Sequence, residues 1–136
     1  YGNYTWPDGR GGAAHVDSAL TLGEDVADAG GLAQSYEAWQ RLVRTGSIDT
    51  LRRNRRLPGL QHYTQEQLFF LAYGVAWARN IRTGEALKRL RTDPHSPTKF
   101  RVNGALANFP PFARAFGCRA GHDAMARAAA ERCEIW

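Results

Sequence analysis

Histidine is scarce and scattered in this chain of 136 residues: His15, His62, His95 and His122, no two of them four residues apart. The spacing that sets two imidazoles on one helix face is therefore missing, and a histidine-pair metal centre contained within this chain goes with it. Cysteine is almost as rare. Cys118 and Cys133 cannot form a disulfide framework alone, which leaves a local bridge between them, two free thiols, or pairing with cysteines elsewhere. No apolar run approaches the ~18–20 residues of a membrane-spanning helix, and Tyr1-Gly2-Asn3-Tyr4-Thr5-Trp6 has neither the basic nor the apolar region of a secretory leader. Internal repeats and low-complexity tracts are also missing.

What is present is ordinary for a folded domain. Apolar residues make up 43% and charged residues 23%, enough to bury a core and unlike a disordered chain. The net charge of +5 is concentrated in Arg52-Arg53-Asn54-Arg55-Arg56 and Lys88-Arg89-Leu90-Arg91. Such clusters can bind nucleic acid or an anionic surface, but no zinc knuckle, aromatic RNA-binding signature or basic heptad accompanies them. We read them as a solvated loop and a solvated helix face, and expect no nucleic-acid partner.

The pattern predicts a mainly α fold with loops and little strand. Residues 1 to 17 carry turn signals, Pro7-Asp8-Gly9 and Gly11-Gly12, and read as a loop. Thr21 and Glu24 form a capping box opening a helix in which Val26, Ala27, Leu32, Tyr36, Trp39 and Val43 recur at helical spacing as far as Arg44, closed by Gly46 and tolerating Gly30-Gly31 where a neighbour packs closely. Thr64 and Gln67 form a second capping box before Leu68 to Trp77, apolar on nearly every side and expected to be a core helix buried in a larger body. Thr83 caps a helix over Gly84 to Leu90. Pro94 and Pro97 enforce an extended stretch around His95, Pro111 to Phe116 forms a short helix, and the alanine-rich Asp123 to Arg132 fits another.

Two groups of residues carry potential chemistry. Glu24 and Asp28 are spaced i, i+4, so both carboxylates share one helix face. That suits a metal ligand supported by a second carboxylate on the next turn, although capping and solvation account for the same residues. His95 between two prolines is, by itself, more often surface than catalysis, and Arg101 could simply pair with Asp93.

The two groups gain meaning together. Gly23-Glu24-Asp25-Val26-Ala27-Asp28-Ala29-Gly30-Gly31-Leu32 and Asp93-Pro94-His95-Ser96-Pro97 with Phe100-Arg101 resemble motifs of the neprilysin-type zinc endopeptidases. Tyr1-Gly2-Asn3-Tyr4, Leu57-Pro58-Gly59-Leu60, Gln67-Leu68-Phe69-Phe70-Leu71, Ala113-Arg114-Ala115-Phe116-Gly117-Cys118 and Cys133-Glu134-Ile135-Trp136 are similar to the family in the same order, and Trp136 reads as a family C-terminus. Departures are Asp25, where the family has asparagine, Ala78, where several relatives have cysteine, an extended arginine loop, and Ala120 to Ala130. An ionised Asp25 cannot donate the hydrogen bond that asparagine can, which bears on substrate contact or pH dependence.

The resemblance implies residues 1–136 as one incomplete catalytic domain, a helical C-terminal lobe of a gluzincin-type metallopeptidase without its His-Glu-x-x-His helix. It implies a Zn2+ cofactor with Glu24 as one ligand and Asp28 supporting a ligating histidine. His95 would donate to the oxyanion and Arg101 would grip a substrate carbonyl, while Asn103 and Asn108 are weaker candidates for the site lining. It further implies hydrolysis of small peptides with an apolar residue after the cut, an extracellular setting, disulfides to upstream cysteines, membrane attachment only through an upstream segment, and dependence on the missing N-terminal part. The isolated chain is expected to be inactive, because catalytic zinc needs about three protein ligands. The alternative is a truncated, non-catalytic homologue that binds peptide or a partner protein.

Overall fold

The structure, a computed structural model, describes residues 1–53, 55 and 57–133, with backbone alone for residues 50 and 51. It begins with a short antiparallel hairpin, β1 (Thr5–Pro7) against β2 (Ala13–His15), in the register Thr5↔His15, Trp6↔Ala14 and Pro7↔Ala13. The Asp8 carboxylate closes its turn by accepting from the backbone N–H of Arg10 (2.7 Å) and of Gly12 (2.9 Å). A hairpin thus replaces the loop expected over residues 1 to 17.

The rest is helical: α1 (Ser18–Thr45), α2 (Ile48–Arg53), α3 (Gln65–Ala76), α4 (Thr83–Thr92), α5 (Thr98–Ala107) and α6 (Pro110–Phe116), then a 3-10 turn at Ala129–Glu131. The mainly α expectation holds, with several starts and stops corrected. Asp17, not Thr21, caps α1, its carboxylate accepting from Ala19 and Leu20 N–H at 3.1 Å each. Thr21 lies one turn inside the helix, buried, so the Thr21–Glu24 capping box does not exist. The α3 box does form, with Thr64 N–H donating to the Gln67 side chain (2.9 Å) and Gln67 N–H to the Thr64 hydroxyl (3.0 Å). Thr83 is the first residue of α4 rather than its cap, and α4 continues to Thr92. Helix α5 was unexpected. Asp123 to Arg132 coils into turns apart from the 3-10 segment. Arg52 and Arg53 end α2 instead of lying in a loop, and Arg53 pairs with Asp49 at 2.9 Å. Asn54 and Arg56 of that cluster, and Glu134, Ile135 and Trp136, lie outside the described residues.

Two cores hold these elements. The larger gathers Leu32 and Tyr36 of α1, Phe70 of α3 and Ala105 and Leu106 of α5, flanked by Trp39, Phe69, Tyr73, Phe109, Phe112 and Phe116. Tyr36 stacks on Phe70 with ring centres 5.5 Å apart, and the Phe70 ring is met edge-on by Phe112 at 5.4 Å. Aromatic pairs of this kind add about 0.5–1.5 kcal/mol each beyond area burial. The apolar run of α3 is buried on one face only: Phe70 is 2% exposed, whereas Val75 is 74% exposed. The smaller core joins Val16, Leu90 and Phe100, with Tyr4 stacked on Phe100 at 4.6 Å and Trp6 edge-on to it at 6.2 Å. It clamps the hairpin onto α4 and α5 and so fixes the chain around His95.

No helix among the described residues is long and apolar enough to cross a membrane.

Candidate active site

Three separate segments converge: the second turn of α1, the turn between α4 and α5, and the first turn of α5. Helical spacing puts Glu24, Asp25 and Asp28 near one another on α1, with Asp25 and Asp28 buried and Glu24 half-exposed. Pro97 caps α5, and Arg101 sits one turn in, 9% exposed.

The Arg101–Asp28 pair is the strongest link. Nε of Arg101 donates to Oδ2 of Asp28 at 2.5 Å and Nη2 to Oδ1 at 2.6 Å, a two-pronged contact between side chains 73 residues apart. That geometry suits a planar guanidinium and is among the stronger charged contacts in proteins. The Asp28 hydrogen bonds raise the Arg101 pKa against the opposing effect of its burial. Arg101 therefore pairs with Asp28, not with Asp93 as the sequence allowed. Its guanidinium also lies 4.1 Å from the centre of the Trp77 ring, a cation–π contact that sequence spacing could not show. Tyr73 donates its hydroxyl to the Arg101 carbonyl at 3.4 Å, and burial, with the nearby Asp28 charge, pushes its pKa up to about 12.

Asp93 has another task. It accepts from the backbone N–H of His95 (2.9 Å) and from the imidazole Nδ1 (2.6 Å), and it also pairs with Arg89. Partial burial alone would raise its pKa; the hydrogen bonds from His95 and Arg89 override that and hold it at about 2. With Nδ1 donating to Asp93, the other ring nitrogen, Nε2, faces outward and lies 3.2 Å from Oε2 of Glu24. A carboxylate that fixes one nitrogen of a histidine fixes the tautomer and the aim of the other. Glu24 has its second contact with Arg101 Nη2 at 3.7 Å.

Asp25 bonds to a different set of groups. It is 6% exposed, and Oδ2 accepts from the Thr21 hydroxyl (2.8 Å) and the Ser96 hydroxyl (3.0 Å). Burial raises its pKa, the two hydroxyl bonds opposing. The residue departing from the resembled motif thus ties α1 to the turn that carries His95. The sequence linked this residue to substrate contact or pH dependence, and its burial shows a structural tie beside those.

Beside His95 and Arg101 opens a cleft of about 260 Å³ whose walls include Trp6, Trp77, Ile81 and Leu90. Asn103 is not among its lining residues. Asn108 holds the C-terminal segment: its amide donates to the Cys133 carbonyl (2.6 Å) and its carbonyl accepts from the Cys133 N–H (3.0 Å). Cys118 and Cys133 are free thiols in this structure.

Glu24 is open on one side. Its side chain is 41% exposed, and among the described residues no group of three or more His, Cys, Asp or Glu could hold an ion. These residues fit one ligand position and not a whole centre.

Comparison with known proteins gives the site its context. Residues 1–133 match the family model of Peptidase family M13. The chain is 40% identical to mouse membrane metallo-endopeptidase-like 1 and 36% identical to human neprilysin, all 136 residues aligning to 16% and 17% of those proteins. Among solved structures, the Mycobacterium tuberculosis zinc metalloprotease Zmp1 in its open state superposes over the whole chain and 20% of its own, with a TM-score of 0.82 at 33% identity. A Haemonchus galactose-containing glycoprotein complex matches over 90% of this chain and 20% of its own, with a TM-score of 0.77 at 38% identity. The chain thus spans about a sixth of the length of the curated relatives it matches.

Proposed function

The chain belongs to peptidase family M13, and on that premise we propose that it is the C-terminal part of the catalytic domain of a zinc metalloendopeptidase that cleaves small peptides. The observation that carries the reading is the convergence of Glu24, His95 and Arg101 beside a cleft with apolar walls, His95 held by Asp93 with Nε2 directed at Glu24.

Glu24 would supply one ligand to zinc, and the remaining ligands would come from the part of the protein outside this chain. When bound, zinc supplies an activated water at neutral pH and polarises the scissile carbonyl. His95, as the doubly protonated imidazolium, would donate Nδ1–H to Asp93 and Nε2–H to the oxygen on which negative charge develops. Arg101 spends Nε and one N–H of Nη2 on Asp28 and keeps its other donors for a substrate carbonyl. Asp28 therefore positions Arg101, and its remaining lone pairs can also accept from a ligating histidine of the missing part. Trp6, Trp77, Ile81 and Leu90 suit an apolar side chain of the peptide.

The rest of the protein completes this lobe. Ile48, Leu22 and Val75, 71%, 62% and 74% exposed, belong to surfaces that a further lobe would cover. An extracellular or ectodomain setting, with Cys118 and Cys133 pairing to cysteines outside this chain, belongs to the same proposal.

The test uses the complete protein and its Glu24→Ala and His95→Ala variants. Glu24→Ala should lose bound zinc by metal analysis and lose peptide hydrolysis. His95→Ala should keep zinc and lose on the order of 100–1000-fold in kcat. Unchanged kcat in His95→Ala, or zinc-dependent hydrolysis by the isolated 136-residue chain, would overturn the reading.

A further inference from the structure

The cleft beside His95 holds three arginines, and their charges are not equally spent. Arg101 is engaged by Asp28 through two hydrogen bonds and by Glu24 at 3.7 Å. Arg89 is engaged by Asp93, whose other oxygen is taken by His95. Arg79, on the segment after α3, lines the same cleft, is exposed, and has no ion-pair partner among the described residues. An apolar wall with one exposed, unspent cation in its lining is a recognition surface for a group that is apolar along its stem and anionic at its tip.

Resting on the peptidase reading above, we propose that Arg79 makes this cleft selective for peptides that place a carboxylate there. Trp6, Trp77 and Leu90 cover the aliphatic or aromatic stem, and the Arg79 guanidinium pairs with the carboxylate. Two sources present the same chemistry: a glutamate side chain, or the free C-terminus of a peptide ending in an apolar residue. Arg101 cannot serve in its place, because the buried Asp28 already neutralises it.

The experiment uses the complete protein and four peptides of one sequence, Glu or Gln at the cleft position, each as C-terminal acid or amide. Dissociation constants are measured by tryptophan fluorescence, which Trp6 and Trp77 make sensitive to this cleft, and cleavage is followed in parallel. Wild type should bind one carboxylate pair member about threefold or more tighter than its neutral partner, as a partly exposed ion pair gives. The Glu/Gln ratio and the acid/amide ratio separate the two sources. Arg79→Gln should bring the responding ratio to one, Arg79→Glu should invert it, and ~0.5 M salt should flatten it in wild type. Ratios near one in wild type, or ratios indifferent to both substitutions, overturn the proposal. Arg79-dependent ratios without any cleavage would remove the peptidase reading and leave this cleft's selectivity standing; cleavage without such ratios would do the reverse.

Discussion

The two halves of α1 are held in place by opposite means. From Leu32 to Trp39 the helix buries apolar and aromatic side chains against α3 and α5, where many weak contacts share the work. From Thr21 to Asp28 the buried side chains are polar, and each is matched to a named partner: Asp25 to Ser96, 71 residues away, and Asp28 to Arg101, 73 away. An apolar contact removed leaves a smaller hydrophobic surface, whereas a charge pair half-removed leaves a buried ion. The site half of α1 is therefore specific where the core half is redundant.

That difference is sharpest in paired substitutions. Arg101→Ala should cost about 3–5 kcal/mol, because Asp28, with a side chain 7% exposed, is left buried without its counter-ion. Adding Asp28→Ala should then restore a large share of the loss, a coupling read from a double-mutant cycle in urea unfolding. Phe70→Ala should also cost about 3–5 kcal/mol, but through the cavity, and combining it with Leu32→Ala should restore nothing. Additive losses in the Arg101 and Asp28 cycle would erase the distinction between the two halves.

A smaller effect tests how closely α5 is held to the start of the chain. A side-chain carbon at Gly104 would stand 2.8 Å from the ring Cζ and hydroxyl of Tyr1, well inside contact distance. Gly104→Ala should destabilise by about 1–3 kcal/mol through overpacking. Tyr1→Ala in the same chain should relieve most of it, as measured by the thermal midpoint.

The core half was the legible half. Helical periodicity marked Leu32, Tyr36 and Trp39, and local chemistry marked the Thr64–Gln67 box, because both depend on residues within a turn or two of one another. The first cap lies four residues before the one expected: Asp17 and Thr21 are both good cap residues, but the buried Thr21 hydroxyl is committed to Asp25, which Ser96, far downstream, also engages. Helix α5 was missed since Gly104 and the preceding prolines weaken its local signal, while its burial against α1 and α6 outweighs propensity. Motif resemblance placed Glu24, Asp28, His95 and Arg101 in one site, and they do converge. It could not say which carboxylate Arg101 would choose, nor that Trp77 would lie over the guanidinium, because both depend on distances between segments rather than on spacing within one.

The finest test of the site half is the pH response of its two carboxylates, Asp93 and Asp25, which should have opposite signs. Asp93 is held at about 2 in the folded chain against an ordinary value of 3.8. Its ionised form is thus favoured by folding, and that stabilisation is complete above pH 3.8 and lost as pH falls toward 2. Asp25 is raised above 3.8 by burial, and its Oδ1 has no hydrogen-bond partner among the described residues. Folding favours its protonated form, so wild type loses stability as pH rises through 3.8 and the unfolded chain sheds its proton first. Asp93→Asn should therefore compare worst with wild type near neutral pH and close the gap in acid. Asp25→Asn should do the opposite, improving relative to wild type as pH rises from about 3 to 7. A constant cost from burying the amide shifts the whole Asp25→Asn curve without changing its slope, so the slope of the midpoint difference against pH is the quantity to read. Equal slopes for the two variants would mean that folding lowers the Asp25 pKa as it does that of Asp93, the Thr21 and Ser96 hydroxyl bonds outweighing burial, and a flat Asp25→Asn difference would mean that the two cancel.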